Sequence, residues 1–366
     1  MRRFFLTILP LLMALPILTG CDIHQWPELH DQPVPPGPDT PEPEPPIPTT
    51  TIPVSLEYAL DFYLWEHRYD PVLGKIEEAD PTLSLYPDYP GTSYKYTGMV
   101  PAGQIQVYAK VFPSSAPSQC VVEQSFVREI NGSYDTDFEL EFPESGTYDV
   151  IVWSQLLESA DAAPFYDPSD FSRVRIVPAN YAGSTDYRDG FCGRIRIDAD
   201  TEVNGRYVVR MARPMGKFEL VTTDLSEFLD RETVARRLPT RASAADYRVR
   251  ISFPMYYPSS YSAIDDRLEN ATTGVAFETR MTVTGESEAS LGFDYVMLNN
   301  IAESGVQAQV DVYRLDGTHV AGSSMLTIPM RRDNHTLLRG AFLTMEGNGG
   351  VGIDPGFNGD RNITWH

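Results

Sequence analysis

The sequence predicts a mostly β protein: two antiparallel β-sandwich domains behind a lipoprotein signal and a proline-rich stalk. Three observations predict it. The amino terminus reads as an export signal that ends in cysteine, and the next segment alternates proline with acid. The long remainder alternates apolar and polar residues with period two, the pattern of half-buried strands.

The signal comes first. Arg2 and Arg3 form a basic start, Phe4 to Leu18 is apolar apart from Thr7, Pro10 and Pro16, and the run closes on Leu18-Thr19-Gly20-Cys21. A basic end, a short apolar core and small residues before a cut are the parts of a secretory signal. About 15 apolar residues are too short to span a bilayer comfortably, and two prolines cost helix. Cysteine directly after the small residues matches the lipobox. Residues 1–20 are therefore expected to be removed, with Cys21 taking a diacylglycerol on its thiol and an acyl chain such as palmitate on its amine. Two or three acyl chains hold a protein on a membrane where one does not.

Residues 21–53 follow as a linker, in which Pro33, Pro35, Pro36, Pro38, Pro41, Pro43, Pro45, Pro46 and Pro48 are interspersed with Asp39, Glu42 and Glu44. Such a segment has almost nothing to bury and fixes φ at close intervals, so an extended polyproline-like spacer is expected.

The body divides into an expected first domain, residues 54–211, and a second, residues 212–366. Clean alternation marks Ile105–Val111, Phe138–Phe142 and Val306–Tyr313 as strands. Pro143-Glu144-Ser145-Gly146 then reads as the turn of a hairpin into Tyr148–Trp153. One stretch argues for helix: Asp224 precedes Leu225, Phe228 and Leu229 on one face, with Glu227 at the third helical position. The seam is placed near Arg210–Arg213, where one strand run stops and Pro214 begins another.

Composition narrows the partners. The formal net charge of −22 opposes nucleic-acid phosphates, so no nucleic-acid partner is expected. Once Cys21 is acylated, Cys120 and Cys192 are the remaining thiols; an even pair in an exported domain is a candidate disulfide, with two free thiols as the alternative.

Catalytic and metal patterns are not met. The six histidines (His24, His30, His67, His319, His335 and His366) show no His-Glu-x-x-His spacing. No metal, cofactor or catalytic residue is assigned. Gly347–Gly352 spells a dinucleotide-type glycine string, but the chain ends before the helix and acid such a site needs. Asp354, Asn358 and Asp360 are oxygen donors in a glycine-rich loop whose spacing departs from the EF-hand, so a turn is the better reading. Asp265-Asp266 are neighbours on a loop, which does not set two carboxylates across a cleft. Tyrosines are more suggestive. Tyr256, Tyr257 and Tyr261 around Pro258, with Tyr86, Tyr89, Tyr94 and Tyr96, fall in loop-like segments; ligand contact is one reading and half-buried sheet cover the other.

Longer strings carry a resemblance. Ile23–Glu28, Asn180-Tyr181-Ala182-Gly183-Ser184-Thr185-Asp186-Tyr187-Arg188-Asp189-Gly190-Phe191, Arg213-Pro214-Met215-Gly216-Lys217-Phe218-Glu219 and Gly349–Asp360 together resemble an uncharacterised Bacteroides-type lipoprotein family. More distantly, Arg213–Glu219 is similar to the domain junction of fimbrillin-like proteins, with Gly216 where alanine is usual. That resemblance implies two transthyretin-like β-sandwiches and a role as a fimbrial subunit or anchor. Arg68 would then be a candidate processing site, against its plainer reading as a surface arginine.

The reading is a non-catalytic outer-membrane lipoprotein exposed on the cell surface, an accessory or anchor subunit of fimbria or adhesin type. Its partners would be the membrane through its lipid, and fimbrial subunits, a host protein or a glycan. The alternative is a glycan-capturing lipoprotein of a nutrient-uptake system; a hydrolase without a recognisable motif is a distant third. The signal generates a test. Cys21→Ala should abolish membrane association, and a variant that still sediments with membranes after a high-salt wash would refute lipid anchoring.

Overall fold

The computed structural model describes residues 50–79, 94–97, 101–200 and 205–344. Cys21, the proline-rich segment up to Pro48, Tyr86, Tyr89 and the Gly347–Asp360 loop lie outside them. The fold is mostly β, and its apolar residues gather into two principal cores.

The first core lies between two sheets. One has the strand order Tyr207–Met211, Thr50–Tyr58, Thr136–Phe142; the other runs Gly190–Asp198, Thr147–Leu157, Gln104–Pro113, Val122–Glu129. Period-two alternation puts Ile52, Val54 and Leu56 into this core from one strand, and Ile105, Val107, Ala109 and Val111 from another. Pro53 is tolerated because pairing on one flank of its strand begins only at Val54.

The second core lies under a seven-stranded sheet that contains Met215–Thr222, Asn334–Gly340 and Asp61–Asp70 side by side. A five-stranded sheet around Tyr247–Phe253 and Ser304–Arg314 faces it. The strand Thr147–Leu157 serves both cores: Val150 and Val152 point into the first, Ile151 and Trp153 into the second. Its continuous apolar run is the signature of a strand buried on both faces.

The chain crosses between the bodies at Ala59–Leu60 and again at Ala212–Pro214. Asp61–Asp70, within the segment expected to belong wholly to the first domain, therefore lies inside the second body's sheet, paired to Asn334–Gly340. Tyr166–Asp167 and Val174–Ile176 likewise pair toward Tyr257–Ser262. The sheets are not uniformly antiparallel either. Thr50–Tyr58 runs parallel to Tyr207–Met211, and Asn334–Gly340 runs parallel to both its neighbours. Parallel pairing needs a long return connection, which these separations in sequence provide.

Arg68 sits mid-strand in Asp61–Asp70, between Arg339 and Glu77, so its backbone is held on both sides. That placement is opposite to an exposed processing loop. Tyr94 and Tyr96 belong to a strand, Tyr94–Thr97, paired with Asp61–Leu64, and not to a loop.

The helix forms at Leu225–Ala235 and buries Leu225, Phe228 and Leu229. Asp224 precedes it but its side chain caps no helical N–H. The carboxylate instead accepts Leu343 N at 3.1 Å, Thr344 N at 2.7 Å and Thr344 Oγ1 at 2.8 Å. Arg231 holds the matching carbonyls, Leu343 O at 2.8 Å and Thr344 O at 3.1 Å. The helix start thus clamps the backbone of the outgoing chain.

Of the two alternatives for Cys120 and Cys192, the structure has both thiols free. Cys192 lies on one edge strand of the first body's four-stranded sheet, while Cys120 leads into the other edge strand. Three strand spacings, about 14 Å, separate those edges, well beyond disulfide range. Burial pushes the Cys192 thiol up to about 12, so it is protonated and unreactive at neutral pH. Native alkylation should therefore label exposed Cys120 promptly and Cys192 only after unfolding. Recovery of a disulfide-linked peptide pair by non-reducing mapping would overturn this arrangement.

Candidate functional site

Two arrangements concentrate polar groups: a buried belt at the seam, and a groove beside it.

The belt is built from Asn180–Phe191 and Arg213–Glu219, two of the strings that carry the family resemblance. Arg213 is 2 % exposed. Its Nε donates to both oxygens of Asp189, at 3.0 and 2.9 Å. Nη1 donates to Ala59 O at 2.9 Å and Asp61 O at 3.2 Å, and Nη2 to Leu60 O at 3.0 Å. The guanidinium also lies 3.9 Å from the Phe62 ring centroid and 4.8 Å from that of Phe191. Burial works against its charge, but Asp189 outweighs this and holds Arg213 above its usual value.

Arg188, 1 % exposed, pairs with Asp294 at 3.3 Å and donates to Tyr257 Oη at 3.2 Å and Tyr295 O at 3.1 Å. Asp294 also accepts the hydroxyls of Tyr181 at 2.7 Å and Tyr257 at 2.8 Å. Lys217 donates to Asp186 at 2.8 Å, and Tyr295 Oη reaches the same carboxylate oxygen at 2.6 Å. Gly216 is required here, since a Cβ would stand 2.3 Å from Arg331 O. Alanine, usual at the matching position of the fimbrillin-like junction, would need a backbone shift.

The groove encloses ≈ 700 Å³ over the four-stranded sheet Arg267–Thr272, Tyr257–Ser262, Val174–Ile176, Tyr166–Asp167. Asp167, Arg175, Ser260 and Asn270 are successive register partners across those strands, and all four line it. Arg175 is fixed by Asp167 Oδ2 through Nε at 2.9 Å and Nη2 at 2.6 Å. The register slips on either side of Ser260, a bulge in its strand.

Of the three tyrosines proposed for ligand contact, Tyr256 alone is exposed, at 67 %. Tyr257 and Tyr261 are core residues, 0 and 2 % exposed, so the ligand-contact reading does not hold for them as a cluster. Tyr257 is nonetheless among the residues that line the groove. Tyr261 donates to Asp266 at 2.5 Å. Burial tends to raise the Asp266 carboxyl, but Tyr261 and Arg332 outweigh it and hold it below the usual range. A glycosidase acid needs the opposite shift, and Asp265 is occupied with Ser262. Among the described residues no three His, Cys, Asp or Glu gather as a metal site, and no helix is long and apolar enough to cross a membrane.

The molecule is thus a mostly β protein of two sandwiches joined by a buried ion-pair belt. The chain belongs to a family of unknown function, DUF6562, which matches residues 97–365. No curated protein matches it. Solved structures with some similarity include a Bacteroides thetaiotaomicron protein of the DUF1812 group, at 12% identity over 74% of this chain and 80% of that one, TM-score 0.37. Another is the fimbrial anchor protein Mfa2 from Porphyromonas gingivalis, at 10% identity over 75% and 82%, TM-score 0.35. A fimbrial assembly protein from Parabacteroides distasonis aligns at 11% identity over 81% and 93%, TM-score 0.33.

The belt predicts a specific mutational pattern. Asp189→Asn leaves the buried guanidinium without its counter-charge and should cost on the order of 3–5 kcal/mol. Arg213→Met should cost at least as much, because it orphans the carbonyls of residues 59–61 as well as Asp189. Combining Arg213→Met with Asp189→Leu removes both charges yet leaves those carbonyls unpaired, so denaturant unfolding should still report a large loss. Recovery of wild-type stability in the double variant would show that the carbonyl contacts contribute nothing.

Proposed function

We propose that the chain is a non-catalytic lipoprotein of the cell surface, an accessory or anchor subunit of fimbria or adhesin type. One observation carries the reading: the first strand after the stalk is an interior strand. Thr50–Tyr58 is paired with Thr136–Phe142 on one side and Tyr207–Met211 on the other. Tension arriving from a lipid at Cys21 would load those backbone hydrogen bonds in shear, many at once. Past Ala59 the same chain enters Asp61–Asp70, which lies inside the second body's sheet. A pull on the tether is thereby shared by both sandwiches, as an anchored display body requires. The belt around Arg213 closes the seam through which that load passes.

Limited proteolysis of intact cells tests the reading. The wild-type chain should be shaved by an added protease, and Cys21→Ala should be lost from the cell surface. Protection until the outer membrane is permeabilised would refute surface display. Chemical cross-linking of the same cells should join the chain to a second surface protein; recovery solely as an uncross-linked monomer would refute the subunit role.

A further inference from the structure

We infer that the groove across Asp167, Arg175, Ser260 and Asn270 is a saccharide-binding site. The inference goes beyond the anchoring reading and does not depend on it.

The row spans four neighbouring strands, about 14 Å at ordinary strand spacing, the reach of a short oligosaccharide. Its chemistry supplies both donors and acceptors, with Asp167, Arg173 and Arg175 leaving a single net positive charge. Asp167 and Arg175 offset one another through their two-point contact, with Nη1 of Arg175 outside it. Asn270 is exposed at the far end, and Thr272 lies beside it on the same strand. A fixed carboxylate–guanidinium pair and an amide present paired donors and acceptors of the kind that vicinal hydroxyls engage. Half-buried Tyr181 and the apolar wall around Val275 offer surface to the C–H face of a sugar ring.

Ser260 provides the independent observation. It is 2 % exposed, it lines the groove, and its Oγ has no hydrogen-bond partner. A buried hydroxyl without a partner is costly, and native structures keep few of them. The strand bulges at this residue, a distortion that sheets use to re-aim a side chain. A ligand hydroxyl reaching the groove floor would supply the missing bond.

Other ligand classes fit less well. A phosphate would gain at most one net positive charge from the lining, Asp167 against Arg173 and Arg175, on a chain of net charge −22. A metal cation would meet Arg173 and Arg175. An extended peptide docks along an open strand edge, whereas this groove presents the face of a sheet.

The full-length lipidated chain, in a detergent without a sugar head group, should bind members of a glycan array that includes neutral and uronic-acid oligosaccharides. Titration with the best soluble member should then show roughly tenfold weaker binding for each of Asn270→Ala and Arg175→Ala, the loss of a hydrogen bond or two. Both positions are exposed, so the melting temperature should hold. Tyr256→Ala, outside the groove, should bind as wild type. Ser260→Val should weaken binding while the unliganded melting temperature stays level or rises, because it removes an unpaired hydroxyl. The inference is overturned by an array on which nothing binds, or by binding that survives Asn270→Ala with Arg175→Ala. A fall in the melting temperature of Ser260→Val would also overturn it, since the hydroxyl would then be serving the fold. Cell-surface proteolysis is indifferent to these variants, so failure here and failure of the anchoring reading are separable.

Discussion

Arg213 is the constraint on which the rest of the structure depends. Taking a guanidinium out of water costs several kcal/mol, and the loss is recovered only when its donors meet well-placed acceptors. Here the acceptors come from distant parts of the chain: Asp189, and the consecutive carbonyls of Ala59, Leu60 and Asp61. Ala59 and Leu60 form the link between two strands that pair in different bodies, and Asp61 opens the second of them; Arg213 bonds all three carbonyls. Lysine would present a point charge with no planar fork, which cannot reach a carboxylate and three carbonyls in one plane. One side chain therefore fixes where the chain leaves the first sandwich, and the adjacent Pro214 fixes where its own strand does the same.

The neighbouring features follow from that crossing. Because Thr50–Tyr58 and Tyr207–Met211 lie parallel and side by side, both exits occur together, with Ala59 N donating to Met211 O at 2.9 Å. Asp61–Asp70 and Met215–Thr222 then enter the same sheet, with Asn334–Gly340 between them. The close approach of Gly216 to Arg331 O, and the Lys217–Asp186 contact, hold the first residues of the second crossing against that sheet.

How much of this was legible in the sequence depended on whether the signal was local. Period-two alternation is local, and it located Ile105–Val111, Phe138–Phe142 and Val306–Tyr313 inside strands of the structure. The helix at Leu225 was legible from its apolar spacing, although Asp224 proved to hold Leu343 and Thr344 instead of a helical N–H. Sheet order is not local. Nothing in the spacing of Cys120 and Cys192 says that two strands separate them, and nothing near Phe62 says that its strand belongs beside residue 336. Tyr257 and Tyr261 were misplaced because Pro258 and two serines imitate a turn, whereas the bulge at Ser260 lets that segment remain a strand with both rings inward. Arg213 carried one available signal, a charge set between Met211-Ala212 and Pro214-Met215, whereas Arg188 and Asp189 sit in a polar run that gave none. Charge alone does not say which partner awaits it.

The contrast between the belt and the groove separates a structural polar cluster from a candidate site. Asp294 accepts from Tyr181, Tyr257, Arg188 and its neighbour's N–H, which occupies the lone pairs a carboxylate offers in the plane of its oxygens. Asp189 is likewise engaged by Arg213 and the N–H of Gly190. These groups are consumed by the fold, and a ligand could engage them only by breaking bonds that hold the seam. At Ser260 the balance is reversed: the hydroxyl is already desolvated and its bond is unmade. Two of the groove's lining residues, Tyr181 and Tyr257, are nonetheless tied to Asp294 in the belt. A binding surface gains affinity when its parts are held in place before the ligand arrives. The belt that welds the two sandwiches therefore also pre-organises the groove, and the same buried carboxylate serves both.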